Sequence, residues 1–260
     1  MKRAIYDLTK EPTTFDFAAW AVTARTHGCD QVHFVIDGDI AHWKYGKDIA
    51  WARFGTILVP ICSFAGMSYS VGTRLDGEEF PYNHGAVEKM YRELGRIEKL
   101  KPIGSLNRSG HVTITMRESF RNKYRNSNKE AWERFSKYLQ ERGENVVIFP
   151  ECENAPINLK QRMAFYCSAK MNLGVANGPM ALCIFSDAPY ITLNQLPERP
   201  AAVTEMTIDV KRLAEMIGFP EGSQYSFRNE RQILIYRPDT FENIVAAYES
   251  MFPVQEAVAA

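Results

Sequence analysis

The feature that most constrains the fold is a regular alternation between short apolar runs and longer amphipathic segments. The apolar runs are typical of β-strands, and the segments between them carry apolar residues at helical spacing. Strands are predicted at 3–8, 31–36, 56–62, 111–116, 145–149, 173–176, 190–193 and 231–236. Helices are predicted at 15–26, 86–100, 127–143, 158–170, 179–186, 209–217 and 239–252. Strands that alternate with helices in this way indicate parallel sheets, so we predict an α/β protein.

A breaker sequence, Lys-Pro-Ile-Gly at 101–104, divides this alternation into two halves. We therefore predict two Rossmann-like lobes with mostly parallel sheets, one at 1–104 and one at 105–260. The final helix is expected to cross back from the second lobe onto the first. A single continuous, doubly wound sheet is the alternative arrangement.

Two capping boxes predict where helices of the second half begin. In the first, Ser-Asn-Lys-Glu at 127–130, the serine is expected to accept a hydrogen bond from the first turn while the glutamate reaches back. The second, Asp-Thr-Phe-Glu at 239–242, stands before the final helix.

Charge and hydropathy exclude some classes of partner. Lys plus Arg number 31 and Asp plus Glu number 31, so the net charge is zero, whereas a general nucleic-acid-binding protein would show a basic excess. No apolar run approaches the roughly 18 residues that a membrane-spanning helix needs. Asp7 comes too early for the apolar region of a signal peptide, so a cytoplasmic protein is expected. The 5 cysteines are scattered, which favours reduced thiols.

The junction between the strand at 173–176 and the helix at 179–186 is a candidate anion site. Asn177, Gly178 and Pro179 form the turn, and proline is favoured at the start of a helix. Such a junction exposes backbone N–H groups and the positive end of a helix dipole at the carboxyl end of a strand, where α/β sheets bind ligands. The turn therefore predicts phosphate binding, and a plain strand-to-helix connection is the alternative.

A basic segment follows the strand at 111–116 and points to the same chemistry. It contains four cations against one acid, and we assign Arg117, Arg121, Arg125 and Asn126 to phosphate binding. Guanidinium groups offer paired donors that suit phosphate oxygens. Because loops that follow parallel strands share one edge of a sheet, this loop and the 177–179 turn are expected to form a diphosphate site. The alternative is an exposed basic loop that pairs with surface acids.

Two further residues are candidates for the same ligand. Glu151 ends the strand at 145–149 and could accept a hydrogen bond from a sugar or ribose hydroxyl. Arg162 lies in the following helix and could reach the site. A solvated loop acid and a surface salt bridge are the respective alternatives.

The first lobe offers candidates for a general base. Asp7 ends the first strand, and Glu11 and Asp16 follow in the loop. A carboxylate at a strand end can take the proton of an attacking hydroxyl, although Asp16 could instead favour a helix dipole. The loop has no G-x-G-x-x-G, so the dinucleotide-binding fingerprint is absent.

A short acidic motif provides an alternative that uses a metal ion. Asp37 and Asp39 flank a glycine after the second strand and resemble the D-x-D of metal-dependent sugar transfer. Two such acids can hold Mg²⁺ or Mn²⁺ against a diphosphate. An Asp-Gly turn without any metal is the other interpretation.

Five motifs give the second half a resemblance to the nucleotide-binding lobe of GT-B-type glycosyltransferases, with the closest likeness to heptosyltransferase-like and other bacterial polysaccharide enzymes. They are Val-Thr-Ile-Thr-Met-Arg at 112–117, Arg-Asn-Ser-Asn at 125–128 with Trp132, Val-Val-Ile-Phe-Pro-Glu at 146–151, Gly-Val-Ala-Asn-Gly-Pro at 174–179, and the segment 231–239 with its helix. The resemblance covers residues 110–252. The first lobe departs from the pattern because it is short and has no Gly-rich acceptor loop.

The resemblance implies a metal-independent glycosyltransferase that moves a sugar from a nucleotide-sugar donor to a hydroxyl acceptor in polysaccharide or glycoconjugate synthesis. It implies no cofactor other than the donor itself. Arg117 and Arg121 would meet the diphosphate, and the 177–179 turn would supply helix-terminus contacts. Two other classes stay open: a non-catalytic sugar-nucleotide-binding protein, and an epimerase or hydrolase that acts on a nucleotide sugar.

Overall fold

The computed structural model describes residues 2–40, 46–81, 83–104, 109–119, 123–152, 158–195 and 222–253. Within these ranges the strands form two separate, wholly parallel sheets, so the predicted α/β class and the two-lobe organisation are confirmed. The predicted helix at 209–217 lies outside the described residues, and the boundary near residue 104 stays a prediction.

The first sheet has four strands in the order β3-β2-β1-β4. Its strands are β1 (Arg3–Asp7), β2 (Gln31–Val35), β3 (Ser68–Gly72) and β4 (Glu78–Glu79). Its helices are α1 (Phe17–Thr26), α2 (Lys47–Arg53), α3 (Val59–Phe64) and α4 (His84–Leu94), and a π-helical turn (Phe54–Leu58) joins α2 to α3.

The second sheet has five strands in the order β6-β5-β7-β8-β9. Its strands are β5 (Val112–Glu118), β6 (Val146–Cys152), β7 (Met171–Val175), β8 (Tyr190–Leu193) and β9 (Gln232–Leu234). Its helices are α5 (Lys129–Glu141), α6 (Leu159–Ser168), α7 (Met180–Ile184) and α8 (Phe241–Met251), with a 3₁₀ turn at Lys123–Arg125. β7 is buried along its whole length, as expected for a central strand that is covered on both faces.

One hydrophobic core extends across both lobes. It contains Tyr6 and Trp20 of the first lobe together with Tyr166, Phe185 and Tyr225 of the second half. A smaller core fills the other face of the second sheet, beneath α5 and α8. The two sheets therefore do not sit on independent cores, and each lobe buries apolar surface of the other.

The strand predicted at 56–62 is wrong, because this segment is helical and forms the π-helical turn and α3. Its buried residues are Ile57, Leu58, Pro60, Ile61 and Cys62, and Ile57, Leu58, Ile61 and Cys62 have the spacing of one face of a helix rather than that of alternate residues of a strand. The third strand of the first sheet is instead Ser68–Gly72.

Both predicted capping boxes begin one residue too early. Asn128, not Ser127, caps α5 by accepting a hydrogen bond from the backbone N–H of Ala131. Thr240, not Asp239, caps α8. In both cases the predicted cap has another partner: Ser127 accepts from the backbone N–H of Arg117, and the Asp239 carboxylate accepts from the Trp132 indole at 2.8 Å.

The structure does not confirm the prediction that the final helix crosses back onto the first lobe. The buried face of α8, formed by Ile244, Ala247 and Tyr248, lies in the smaller core of the second sheet. The Tyr248 hydroxyl donates to Glu144 at 2.8 Å, and the Tyr138 hydroxyl donates to Glu249 at 2.5 Å. These apolar and polar contacts hold the described part of α8 against α5.

Candidate functional site

The carboxyl ends of β1 and β7 lead into loops that touch each other across the two lobes. Phe15, in the loop after β1, packs on Gly178 so closely that a Cβ at residue 178 would lie 2.5 Å from the phenylalanine ring. Asn177 accepts a hydrogen bond from the backbone N–H of Met180 at 3.2 Å, and Pro179 is buried. Because ligands of open α/β sheets bind beyond the carboxyl ends of strands, this junction is the candidate site.

The basic loop after β5 is closed by its own hydrogen bonds. The backbone N–H of Ser127 donates to the Arg117 carbonyl at 3.0 Å, and the Ser127 hydroxyl accepts from the backbone N–H of Arg117 at 2.8 Å. Both amide atoms of Asn126 bond to the Ser119 backbone at 2.9 Å. Asn126 thus has a structural partner that the sequence did not reveal, while its predicted role in ligand binding stays a prediction.

Arg125 links this loop to the turn after β7. Its guanidinium donates to the backbone carbonyl of Ala176 at 3.2 Å, one residue before Asn177. The structure thus brings together two of the segments that the sequence assigned to one site. Arg121 lies outside the described residues.

The remaining donor-side candidates lie on β5, β6 and α6. Arg117 is half-buried at the end of β5, and Glu151 occupies the neighbouring register position on β6. Arg162 is only 7% exposed, and its guanidinium carbon lies 4.7 Å from the centre of the Phe149 ring. A buried guanidinium over an aromatic face differs from the surface salt bridge that was the alternative for Arg162.

Asp7 is held by cations at the end of β1. Its carboxylate lies 3.1 Å from Lys10 and 3.1 Å from Arg74, and it accepts hydrogen bonds from the Thr9 hydroxyl and N–H. Burial raises the pKa of Asp7, but the hydrogen bonds from Thr9 and Lys10 outweigh burial and keep this pKa below its ordinary value. A carboxylate stabilised in this way is a weak proton acceptor.

Glu11 has the opposite electrostatic character. Burial, together with the neighbouring charge of Asp7, raises its pKa above the ordinary value, although Lys10 opposes the shift. A raised pKa suits a general base that works near neutral pH. Glu11 therefore meets the electrostatic requirement that Asp7 does not.

Asp16 lies next to Phe15, beside the contact between the lobes. Its side chain is 52% exposed, and the Thr14 hydroxyl donates to Oδ2 at 3.1 Å. Oδ1 faces His84 Nε2 at 3.7 Å. Of the three predicted bases, Asp16 is therefore accessible, oriented by neighbours and close to the junction.

His84 and Tyr225 are residues of this site that sequence reasoning missed. The Tyr225 hydroxyl lies 2.9 Å from His84 Nδ1, and the His84 ring packs edge-on against Phe185 with centroids 4.8 Å apart. The 5 histidines of the sequence show no metal-ligand spacing, so the sequence alone assigns no role to His84. No local signal could have paired two residues 141 positions apart.

The acidic motif at 37–39 is engaged by protein groups. Asp39 pairs with Lys47 at 2.8 Å and accepts from the Trp51 indole at 3.3 Å. The hydrogen bond from Lys47 lowers the pKa of Asp39. Asp37 and Asp39 also form an isolated backbone β-bridge. Within the described ranges, no three acidic, histidine or cysteine side chains are grouped as a metal site would require.

No protein-family model matches this chain, and the search of curated proteins found no match. Among solved structures, the chain is similar to the dodecameric iron-containing glycosyltransferase TibC of enterotoxigenic E. coli, with 11% identity, a TM-score of 0.49, and coverage of 96% of this chain and 76% of TibC. A heptosyltransferase TibC structure in complex with ADP-D-β-D-heptose gives 13% identity, a TM-score of 0.44, and coverage of 74% and 58%. In that comparison the chain thus spans less than two thirds of TibC.

E. coli heptosyltransferase WaaC with ADP is also similar, with 12% identity, a TM-score of 0.47, and coverage of 96% of this chain and 99% of WaaC. The enzymes found by structure are thus of the class that the sequence motifs resemble. Separately, none of the described helices is both long enough and apolar enough to cross a membrane.

Proposed function

We propose that this chain is a glycosyltransferase of the GT-B type, which moves a sugar from a nucleotide-sugar donor to a hydroxyl acceptor. The observation that carries the proposal is the contact between Phe15 and Gly178, which joins the loop after β1 to the turn after β7. A ligand at this junction would be reached by loops of both lobes. Transfer between two substrates needs such an arrangement, because donor and acceptor must be held together.

The second lobe supplies the donor side. Arg125, which donates to the Ala176 carbonyl one residue before the 177–179 turn, and Arg117 at the end of β5 are the cations that we assign to the diphosphate. As the bond between the anomeric carbon and the diphosphate breaks, negative charge grows on the leaving oxygen, and guanidinium groups stabilise that charge. With these cations in that role, transfer is expected to proceed without a divalent metal ion.

The first lobe supplies the base, and we assign this role to Asp16. Its accessible carboxylate would take the proton of the acceptor hydroxyl as the hydroxyl oxygen attacks the anomeric carbon. The new glycosidic bond forms, and the nucleoside diphosphate leaves with the electron pair of the broken bond. Glu11, whose raised pKa also fits a base, is the competing assignment.

Calorimetric titration with ADP, UDP and GDP, with EDTA present, tests donor binding. Arg117→Ala and Arg125→Ala should each weaken the preferred nucleotide by at least tenfold, about 1.4 kcal/mol. Lys137→Ala, on the exposed face of α5, is the control. Unchanged affinity in both arginine variants would refute the donor site, and binding that requires Mn²⁺ and is lost in Asp39→Ala would favour the acidic motif.

Release of nucleoside diphosphate from a panel of nucleotide sugars, with and without glycan acceptors, tests the reaction. Asp16→Asn should lower kcat by about a hundredfold or more, whereas Asp7→Asn should change it little. If Glu11→Gln abolishes transfer and Asp16→Asn does not, the base is Glu11. Donor consumption without acceptor would indicate an epimerase or hydrolase, and binding without turnover would indicate a binding protein.

A further inference from the structure

Three polar side chains form a connected row across the contact between the lobes. Asp16 Oδ1 faces His84 Nε2 at 3.7 Å, and His84 Nδ1 lies 2.9 Å from the Tyr225 hydroxyl. Asp16 belongs to the loop after β1, His84 is the first residue of α4, and Tyr225 lies in the segment before β9. The row therefore connects a loop of the first lobe to a loop of the second.

Tyr225 supplies a buried hydroxyl at the end of this row, and its hydrogen bond with His84 Nδ1 can run in either direction, depending on the ring tautomer. Tyr225 is 2% exposed, and burial raises its pKa well above the ordinary value, with Tyr190 and Glu88 adding to the shift. Its hydroxyl therefore keeps its proton and can donate it to His84 Nδ1. A neutral imidazole that accepts at Nδ1 carries its hydrogen on Nε2, which is the nitrogen that faces Asp16.

We propose that His84 is a positioning residue for Asp16 and that Tyr225 sets the ring tautomer that makes this possible. The inference rests on the proposed function, in which Asp16 takes the acceptor's proton. With the Thr14 hydroxyl on Oδ2 and the imidazole N–H facing Oδ1, each carboxylate oxygen has an orienting donor. The 3.7 Å separation is longer than a hydrogen bond, and contacts of this kind tighten when substrate binds.

This arrangement makes the orientation of the base depend on both lobes. The His84 ring is itself held by second-lobe groups, because it packs on Phe185 as well as on Tyr225. Asp16 is fully oriented only when the segment that contains Tyr225 is docked on α4. The base on the acceptor side is thereby coupled to the lobe that binds the donor.

Steady-state kinetics separate positioning from a structural role. His84→Ala should lower kcat by about ten- to a hundredfold with little change in the KM for the donor, and His84→Gln, whose amide can replace the Nε2 hydrogen, should recover most of the loss. His84→Ala combined with Asp16→Asn should be no slower than Asp16→Asn alone, because both changes remove one function. Tyr225→Phe should lower kcat, while Tyr91→Phe, in the same aromatic cluster, should not.

Long-range ¹H–¹⁵N NMR of the imidazole tests the tautomer without any turnover. The wild type should carry the ring hydrogen on Nε2, Tyr225→Phe should give a mixture, and Asp16→Asn should shift the Nε2 signal. A hydrogen on Nδ1 in the wild type, or an Nε2 signal that does not shift in Asp16→Asn, would overturn the inference, whether or not the variants are active. Failure of the proposed function would appear separately, as loss of nucleotide binding in calorimetry.

Discussion

The ring of Phe15 occupies the space that a side chain at Gly178 would need. An added Cβ would lie 2.5 Å from Cδ2 and 3.1 Å from Cγ of that ring, well inside normal contact. Glycine at 178 is therefore required by the approach of the other lobe. The same contact brings the loop after β1 to the turn after β7, so the packing of the lobes and the geometry of the candidate site share one cause.

Gly178→Ala should destabilise the protein by about 1–3 kcal/mol, because the methyl group must displace a ring packed in the core. Urea denaturation measures the change. Gly55→Ala is the control, since a Cβ there meets nothing within 4 Å and the change should be neutral or stabilising. The double variant Gly178→Ala, Phe15→Ala should lose less free energy of unfolding than the two single variants lose together. Strict additivity would contradict the proposed clash.

Glu88 provides a second link between the lobes. This α4 residue is 2% exposed and accepts from the Ser226 backbone N–H at 2.9 Å, from the Ser226 hydroxyl, and from Arg92 at 2.8 Å. Glu88→Ala should cost about 2–4 kcal/mol in thermal or urea unfolding, because it leaves these donors without their partner. Ser226→Ala should cost about 1 kcal/mol.

The exposed Glu93 on the same helix is the matched control for Glu88, and Glu93→Ala should be within about 0.5 kcal/mol of the wild type. If Glu88→Ala proved equally mild, the buried carboxylate would not hold the segment that contains Ser226. The double variant Glu88→Ala, Ser226→Ala should show a coupling of at least about 0.5 kcal/mol.

The second half of the chain was predicted well because its signals are local. Five of its strands were located from apolar runs, and the 177–179 turn was correctly placed between β7 and α7. The two capping boxes failed by one residue because a neighbouring polar residue took the capping role. Ser127 and Asp239 bond instead to groups 10 and 107 residues away in the chain, and a four-residue capping pattern carries no information on such partners.

The first half was less predictable because its apolar runs fit two periodicities. Residues 56–62 fit a short strand as well as a helical face, and only the packing of Ile57, Leu58 and Ile61 distinguishes them. The candidate site was also only partly predictable from the sequence. The acid, the basic loop and the turn could be proposed from residue types, whereas the His84 contact with Tyr225 depends on how the lobes meet.

Gln232 on β9 joins the second sheet to α7 and to the loop after it. Its amide nitrogen lies within hydrogen-bonding distance of three backbone carbonyls, those of Cys183, Ser186 and Ala188, at 3.2, 2.8 and 2.9 Å. The residue is 0% exposed, so Gln232→Met should leave buried carbonyls without a donor and cost about 2–3 kcal/mol. Gln140→Met, at an exposed position of α5, is the control. A loss below 0.5 kcal/mol, roughly the effect of a surface change, would show that these carbonyls find other donors.

Glu144 should give the protein a specific acid sensitivity. Its side chain is 15% exposed and pairs with Lys170, and it accepts from Tyr248 at 2.8 Å. Burial raises the pKa of Glu144, but Lys170 and Tyr248 outweigh burial and lower this pKa below the ordinary value of 4.5. The folded state therefore binds this proton less readily than the unfolded state, so the stabilisation is complete above the unfolded pKa and is lost as the pH falls through the folded pKa.

Glu144→Gln should lower the free energy of unfolding by about 1–3 kcal/mol at pH 7, because the amide keeps an acceptor for Tyr248 but loses the charge that faces Lys170. Below pH 4.5 the wild type should lose this advantage, so the two unfolding free energies should converge as the pH falls further. Urea denaturation at a series of pH values measures the difference, with Glu141→Gln on exposed α5 surface as control. A difference that is constant from neutral to acid pH would mean that the carboxylate charge contributes nothing at this position.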